Sequence, residues 1–227
     1  MIFNPVVARS ATPSGTGIGT LEVGTLVKGN IQGAPWEWKI VHQGNPDPAM
    51  YDANCDGCWL LLENIHSQRV WSSSSNDYKN SDIQAWLNGD FFNMLDAGFR
   101  NQVKQVKIPL GSGADGLSCK LFLLSGYELG WTTSDDPYFP RDGAKLSYFS
   151  SGADSAANNK RIANYNGIAA NWWLRSYHRG GNNDIWGVFS DGDYREWYRG
   201  YNQGIRPALI LPSTALVDDE LNILGVA

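Results

Sequence analysis

No run of lysine or arginine interrupts this 227-residue chain, whose formal net charge is -5. Nucleic-acid binders carry a basic stripe, so nucleic acid is not an expected partner. No apolar stretch reaches the ~18–20 residues of a membrane span, and insertion into a bilayer is not expected. The opening residues MIFNPVVARSATPSG lack a basic start followed by an apolar stretch of about 7–15 residues, so they do not read as a secretory signal. Cysteine is scarce: Cys55, Cys58 and Cys119 are an odd set with none in the C-terminal half, which excludes a disulfide framework. Cys55-Asp-Gly-Cys58 is a lone pair, and a tetrahedral zinc site needs two further ligands, for which His42 and His66 are the candidates. A redox pair would open a helix, whereas Trp59-Leu60-Leu61-Leu62 reads as a strand. The expectation is a glycine-containing turn with reduced thiols.

Catalytic constellations are missing as well. GxSxG, HExxH, a Walker loop, GxGxxG and an EF-hand loop do not occur. Of the three histidines, His178 lies in a polar loop where Asp184 supplies a carboxylate, but no serine or cysteine is placed as nucleophile. The chain therefore reads as a non-enzyme without a cofactor. Asp191-Gly192-Asp193 fits either a partial calcium site or an ordinary turn.

What the chain has in quantity is tryptophan and glycine, ten and 25 residues, which together point to a loop-rich domain around an aromatic core. Residues 1–20 are expected to be a flexible arm, since ATPSGTGIGT has a linker composition. Residues 21–227 are expected to form one domain. Trp36 to Val41 starts with strand-like alternation, and Cys58 to Ile65 and Leu121 to Leu124 read as buried strands. Ser81-x-x-Gln84 is a capping box. It opens a short helix that Asn88-Gly89 should break, with Asp90 capping a second. Thr132 to Asn171 reads as irregular but anchored by aromatics. Strands are expected at Asn171–Ser176, Ile185–Ser190 and Ile205–Leu211. The fold class is thus α+β, with short antiparallel strands and two short helices.

The window Tyr177–Gln203 stands apart. It holds four of the ten tyrosines, with glycine, asparagine, aspartate and arginine, and it has no Leu, Ala, Lys, Met, Thr or Pro. That composition is close to a binding loop's, in which rigid aromatics supply contact area and small polar residues supply adaptable hydrogen bonds. Apolar segments flank it, Trp172-Trp173-Leu174 before and Ala208-Leu209-Ile210-Leu211 after, so a polar surface would be mounted on a stiff backing. Arg175 and Arg206, each among apolar neighbours, read as struts that need carboxylate or carbonyl partners. If Ile185–Ser190 is a strand, Trp186 and Val188 share one face and Gly187 and Phe189 the other. Phe189 is expected outward, beside Tyr194.

WWLRS (172–176), then W-x-V-x-S-x-G (186–192), then GIRPALILP (204–212) resemble a bacterial and phage domain similar to the variable proteins of diversity-generating retroelements. WLNGDFFNMLD (86–96), KQVKIPLG (104–111) and GLSCKLFLLSGYELGW (116–131) extend the resemblance to nearly the whole domain. It implies a C-type-lectin fold, distantly similar to the formylglycine-generating enzyme, and a 3′ gene end rewritten at adenines. Asparagine codons can then become Tyr, Asp, His, Ser, Gly, Arg, Ile or Phe, never Lys or Trp. The resemblance therefore implies a display role for Tyr177, His178, Arg179, Asn182, Asn183, Asp184, Gly187, Phe189, Asp193, Tyr194, Arg195, Tyr198, Tyr201 and Asn202. Trp186 reads as fixed scaffold, and Glu196, Trp197 and Gln203 as fixed or altered through other codons. The implied ligand is a protein or glycan on a host cell surface, met from a phage tail or a bacterial surface, with a homo-oligomer such as a trimer in view. The alternatives are a calcium-dependent lectin, which lacks here its Glu-Pro-Asn type motif, and a formylglycine-generating oxidase, whose C-terminal copper-binding cysteines have no counterpart after Cys119.

Overall fold

The computed structural model describes residues 15–111, 113–181 and 183–225. The chain is mixed α+β, built mostly from short antiparallel strands in several small sheets, with one 13-residue helix. In chain order the first strands are β1 (Thr16–Gly17), β2 (Leu26–Ile31), β3 (Ala34–Gln43), β4 (Cys58–Leu62) and β5 (Ser67–Val70). After the helical region come β6 (Val106–Leu110), β7 (Gly113–Cys119) and β8 (Leu121–Phe122). The C-terminal half adds β9 (Asn164–Tyr165), β10 (Ile168–Ala169), β11 (Trp172–Tyr177), β12 (Asp184–Val188), β13 (Tyr194–Tyr198), β14 (Asn202–Ile205), β15 (Ala208–Leu211) and β16 (Leu216–Val217).

Two five-stranded sheets carry the fold, ordered β2-β3-β4-β15-β8 and β13-β12-β11-β14-β5. The first is antiparallel throughout, and the second has a single parallel pair, β11 with β14. Of the chain's four crossings between the sheets, two join strands consecutive in the chain, from β4 to β5 and from β14 to β15. Arg206 stands at this seam. Its Nε donates to Leu62 O at 2.7 Å, its Nη2 approaches Glu63 at 3.5 Å, and its guanidinium lies 5.1 Å from the Trp172 ring. The strut expected of Arg206 therefore joins the two crossings. Every residue of β4 and β15 is buried, as their near-continuous apolar runs require of strands covered on both faces.

The helical region departs from the sequence expectation. Asn88-Gly89 does not break the helix: α1 (Asp82–Trp86) runs through a π-turn at Leu87–Phe91 into α2 (Phe92–Met94). The extra residue of the π-turn turns Asn88 toward β8. Its Oδ1 accepts from Lys120 N and Leu121 N, and its Nδ2 donates to Gln84 O and Leu121 O. Four tertiary and local bonds thus outweigh a turn-forming dipeptide. The capping box forms by half. Ser81 Oγ accepts from Gln84 N at 3.2 Å, but the Ser81 N–H bonds to Tyr78 O instead of the Gln84 side chain. Two further single-turn helices follow, α3 (Ala97–Arg100) and α4 (Ser155–Asn159), the latter capped by Asp154.

Order begins before Leu21. Thr16–Gly17 pairs with Leu216–Val217, and Ile18 is fully buried. The Gly/Thr-rich composition around Ile18 had concealed a core residue. The remainder of the expected arm, residues 1–14, lies outside the described residues. The irregular stretch after Thr132 is anchored as expected: Phe139 is fully buried, its ring centroid 4.3 Å from Trp186 and 6.2 Å from Trp131.

Candidate functional site

The window Tyr177–Gln203 is less loop-like than its composition suggests. It contains the end of β11, the β12–β13 hairpin and the start of β14. The register pairs Asp184 with Tyr198, Ile185 with Trp197, Trp186 with Glu196, Gly187 with Arg195 and Val188 with Tyr194. Directly paired residues share a face, so the hairpin has one face with Trp186, Val188, Tyr194, Glu196 and Tyr198, and another with Ile185, Gly187, Arg195 and Trp197. The expected split between Trp186/Val188 and Gly187/Phe189 is present. The expected neighbourhood of Phe189 and Tyr194 is not.

Tyr194 lies on the inner side. Its ring sits 5.3 Å from Phe139, 5.5 Å from Trp131 and 5.6 Å from Trp186, and its hydroxyl donates to Asp135 O at 3.0 Å. Burial, followed by the Asp136 and Asp193 carboxylates, pushes this phenol above its ordinary pKa. Phe189 occupies the other side, stacked at 6.4 Å on Trp197 with the Arg195 guanidinium 4.3 Å from its ring centroid. Trp197 in turn meets Trp173 edge-on at 5.9 Å. An Arg195–Phe189–Trp197 stack thus roofs the sheet.

Gly187, expected among the display residues, has no room for a side chain. It is buried, and a β-carbon there would stand 2.5 Å from Trp197 Cζ3 and 2.7 Å from Trp172 O. The hairpin turn is equally constrained. Phe189 N donates to Asp193 O, Asp193 N donates to Asp191 Oδ1, and Gly192 has φ +87° with the Asn158 backbone filling its side-chain position. Asp191 and Asp193 are therefore engaged in turn hydrogen bonds, and Asp193 is half-buried. Among the described residues no group of three or more His, Cys, Asp or Glu is placed to hold a metal ion.

At the other end of the hairpin, His178 is half-buried between the Tyr138 and Trp186 rings, at 4.9 and 4.7 Å. The His178 backbone N–H donates to Asp184 O, and Arg179 N donates to Tyr138 O. Asn183 takes a left-handed φ of 78°, which asparagine tolerates. Its carbonyl and amide oxygens accept from Arg199 N and Nε. Asn182 lies outside the described residues. Tyr177 and Asp184 are half-buried.

The side chains that stand clear are Arg179, Arg195, Tyr198, Tyr201 and Asn202. Tyr198 and Tyr201 are 47% and 57% exposed and meet edge-to-face at 5.9 Å. On the edge strand β13, Arg195 and Glu196 are both exposed and project to opposite sides. Two members of this surface were not evident in the sequence. Glu196, read as fixed or altered through other codons, is exposed, and Tyr138, 47% exposed, comes from a segment some 40 residues upstream to flank His178. Only the tertiary fold brings Tyr138 there.

Arg175 supports this surface from beneath. Both Nη atoms engage Glu128, at 2.6 and 2.7 Å, while donating also to Leu123 O and Asp142 O. Burial opposes its charge, but the Glu128 carboxylate and then Asp142 raise its pKa above the ordinary value. Cys55, Cys58 and Cys119 are free and buried. Burial pushes the Cys55 and Cys58 thiols up to about 11 and 12, so neither is a thiolate near neutrality.

Fold and site together define a mixed α+β domain that carries a polar-aromatic hairpin on a buried tryptophan-rich sheet. The chain belongs to the family described as Domain of unknown function (DUF6273), whose model matches residues 56–213. No curated protein and no solved structure matches the chain.

Proposed function

We propose that this protein is a non-catalytic ligand-binding protein of C-type-lectin-like fold. Its recognition surface is the β12–β13 hairpin and the turn into β14, and it serves receptor recognition from a phage tail or a bacterial surface. The observation that carries the reading is a sharp division within one segment. Arg179, Arg195, Tyr198, Tyr201 and Asn202 are exposed, while Trp172, Trp173, Ile185, Trp186 and Val188 directly behind them are fully or almost fully buried. Exposed tyrosine and arginine on a rigid frame are the residue types that dominate binding hot spots. Diversification by a retroelement would fall on those five exposed positions. It would be tolerated less at Tyr194, Phe189 and His178, which pack on aromatic neighbours, and not at Gly187.

Labelled protein applied to a panel of bacterial cells tests the reading. The fourfold variant Arg195→Ser, Tyr198→Ser, Tyr201→Ser, Asn202→Ser is expected to keep its melting temperature and lose cell binding by ~100-fold or more, since hot-spot losses of about 2 kcal/mol or more each accumulate. Undiminished binding by the variant, or no binding to any cell type, overturns it. The coding region should also have nearby a near-copy with adenines at these codons, beside a reverse-transcriptase gene.

A further inference from the structure

The edges of a sheet carry unpaired backbone groups, and the first five-stranded sheet covers both of its own. Along β2, Lys28 N donates to Leu221 O, Ile223 N to Lys28 O, Gln32 N to Met94 O and Asp96 N to Asn30 O. Along β8, the Asn88 side chain accepts from Lys120 N and Leu121 N and donates to Leu121 O. The β13 edge of the second sheet is left differently. Asp193 O accepts from Phe189 N at one end of β13, and Arg199 N donates to Asn183 O at the other, so both residues bond inward. Successive residues of a strand direct their backbone groups to alternate sides. Arg195 and Trp197 therefore also bond toward β12, and Tyr194, Glu196 and Tyr198 face outward. Tyr198 O accepts from Tyr201 N, and Tyr194 N donates to Asp193 Oδ1. Tyr194 O, Glu196 N, Glu196 O and Tyr198 N are left, two donors and two acceptors in a row without a partner among the described residues. Glu196 and Tyr198, which supply three of the four, are exposed.

Such a row is completed by an extended peptide that adds itself as a strand. The charges beside the row constrain which peptide. Glu196 shares a face of the hairpin with Tyr194, and the Asp135, Asp136 and Asp193 carboxylates act on the Tyr194 phenol. None of these four carboxylates is in an ion pair among the described residues. Arg161, a cation that acts on Asp135 and Asp193, is buried, with its guanidinium engaged by Leu129 O, Ser150 O and Asn158 Oδ1. Arg195 stands on the opposite face, over Phe189. A residue paired with Glu196 shares its face, so a lysine or arginine there meets acidic groups that lack a counter-charge. A second copy of this chain fits poorly. Antiparallel self-pairing through the same four groups sets Glu196 against its own copy, and like charges directly opposite repel. We propose that the free edge of β13 takes an extended segment of a partner protein as a sixth strand, with a basic side chain opposite Glu196. This rests on the hairpin being the recognition surface, and it makes the ligand of that surface a polypeptide.

A displayed library of linear peptides of about eight residues, long enough for one added strand, is panned on the full chain to test this. Enriched peptides should carry lysine or arginine among alternating β-branched residues and no central proline. In the complex with the most enriched peptide, hydrogen exchange followed by NMR should show the Glu196 and Tyr198 amides protected a further ~10-fold or more. The Arg195 and Trp197 amides, already bonded toward β12, should not change. Glu196→Pro removes an outward N–H and no inward bond, a change that edge strands tolerate. It should keep its melting temperature and lose peptide affinity by at least ~10-fold, the effect of losing a strand-to-strand bond and the room for it. Should it melt early, the exchange pattern decides alone. Glu196→Gln keeps the backbone row and should weaken the same peptide about threefold, the effect of one exposed charge pair. No enriched peptide, enrichment in Asp and Glu instead, or protection that spares Glu196 and Tyr198 overturns strand addition. The cell-binding assay with the fourfold variant reads the hairpin independently, so failure of strand addition and failure of the recognition surface are told apart.

Discussion

Arg175 shows how much one side chain can organise here. It reaches from β11 to Leu123, to Glu128 and to Asp142, and so ties three upstream segments to the strand that backs the hairpin. Breaking a buried pair leaves an uncompensated charge, at about 3–5 kcal/mol. Glu128→Gln is therefore expected to lower unfolding free energy by that order in urea titration, and a loss below ~1 kcal/mol would show the pair to be dispensable. Asp142 has a different signature. Burial, partly offset by Arg175, raises its carboxyl to about 6. The folded state thus favours the protonated form. The associated stability is present below the unfolded value of about 3.9 and is lost as pH rises through 6. The shift of roughly 2 units corresponds to something on the order of 3 kcal/mol. Asp142→Asn should flatten the stability difference between pH 4 and pH 7 relative to the wild type, and an unchanged slope would contradict this assignment.

At the scale of elements, the β12–β13 hairpin divides its residues between frame and surface by register. Gly187 faces the Trp197 ring, so any side chain must displace Trp197 or the Trp172 backbone. Asn202 begins β14 with its side chain exposed. Gly187→Ser is expected to cost about 2 kcal/mol or more, as overpacking in a closed site does, while Asn202→Ser should stay within ~0.5 kcal/mol. Thermal melts of the two variants distinguish the positions, and equal melting temperatures would mean that the Gly187 site is not closed. The helix from Asp82 to Met94 teaches a related lesson. Asn88-Gly89 has turn chemistry in the sequence, but Asn88 finds partners on β8 and the chain stays helical through a π-turn.

At the scale of the molecule, one continuous core cluster spans both five-stranded sheets, and Arg206 joins two of the four chain crossings between them. Neither sheet closes its core alone. Calorimetry is expected to show a single unfolding transition with equal calorimetric and van't Hoff enthalpies; two resolved transitions would mean that the sheets are separable units. No helix among the described residues is long and apolar enough to cross a membrane.

The sequence by itself determined where the frame lies and where the unusual surface lies. The strands expected at 58–65, 171–176 and 205–211 from their apolar runs are present at 58–62 and 172–177 and, for the last, as a run divided at 206–207 between two sheets, and the window after Tyr177 follows from its change of composition, because both signals are local. It also identified Arg175 and Arg206 as struts, since a charge between apolar neighbours must find a partner somewhere. Which partner, and which display residues truly face solvent, only the tertiary structure decided. Tyr194 and Tyr198 are chemically alike and share one face of β13. Phe139 and Trp131, brought from more than 50 residues away, cover the first and leave the second bare. Exposure depends on what the rest of the chain places overhead, and nothing in the local pattern encodes that.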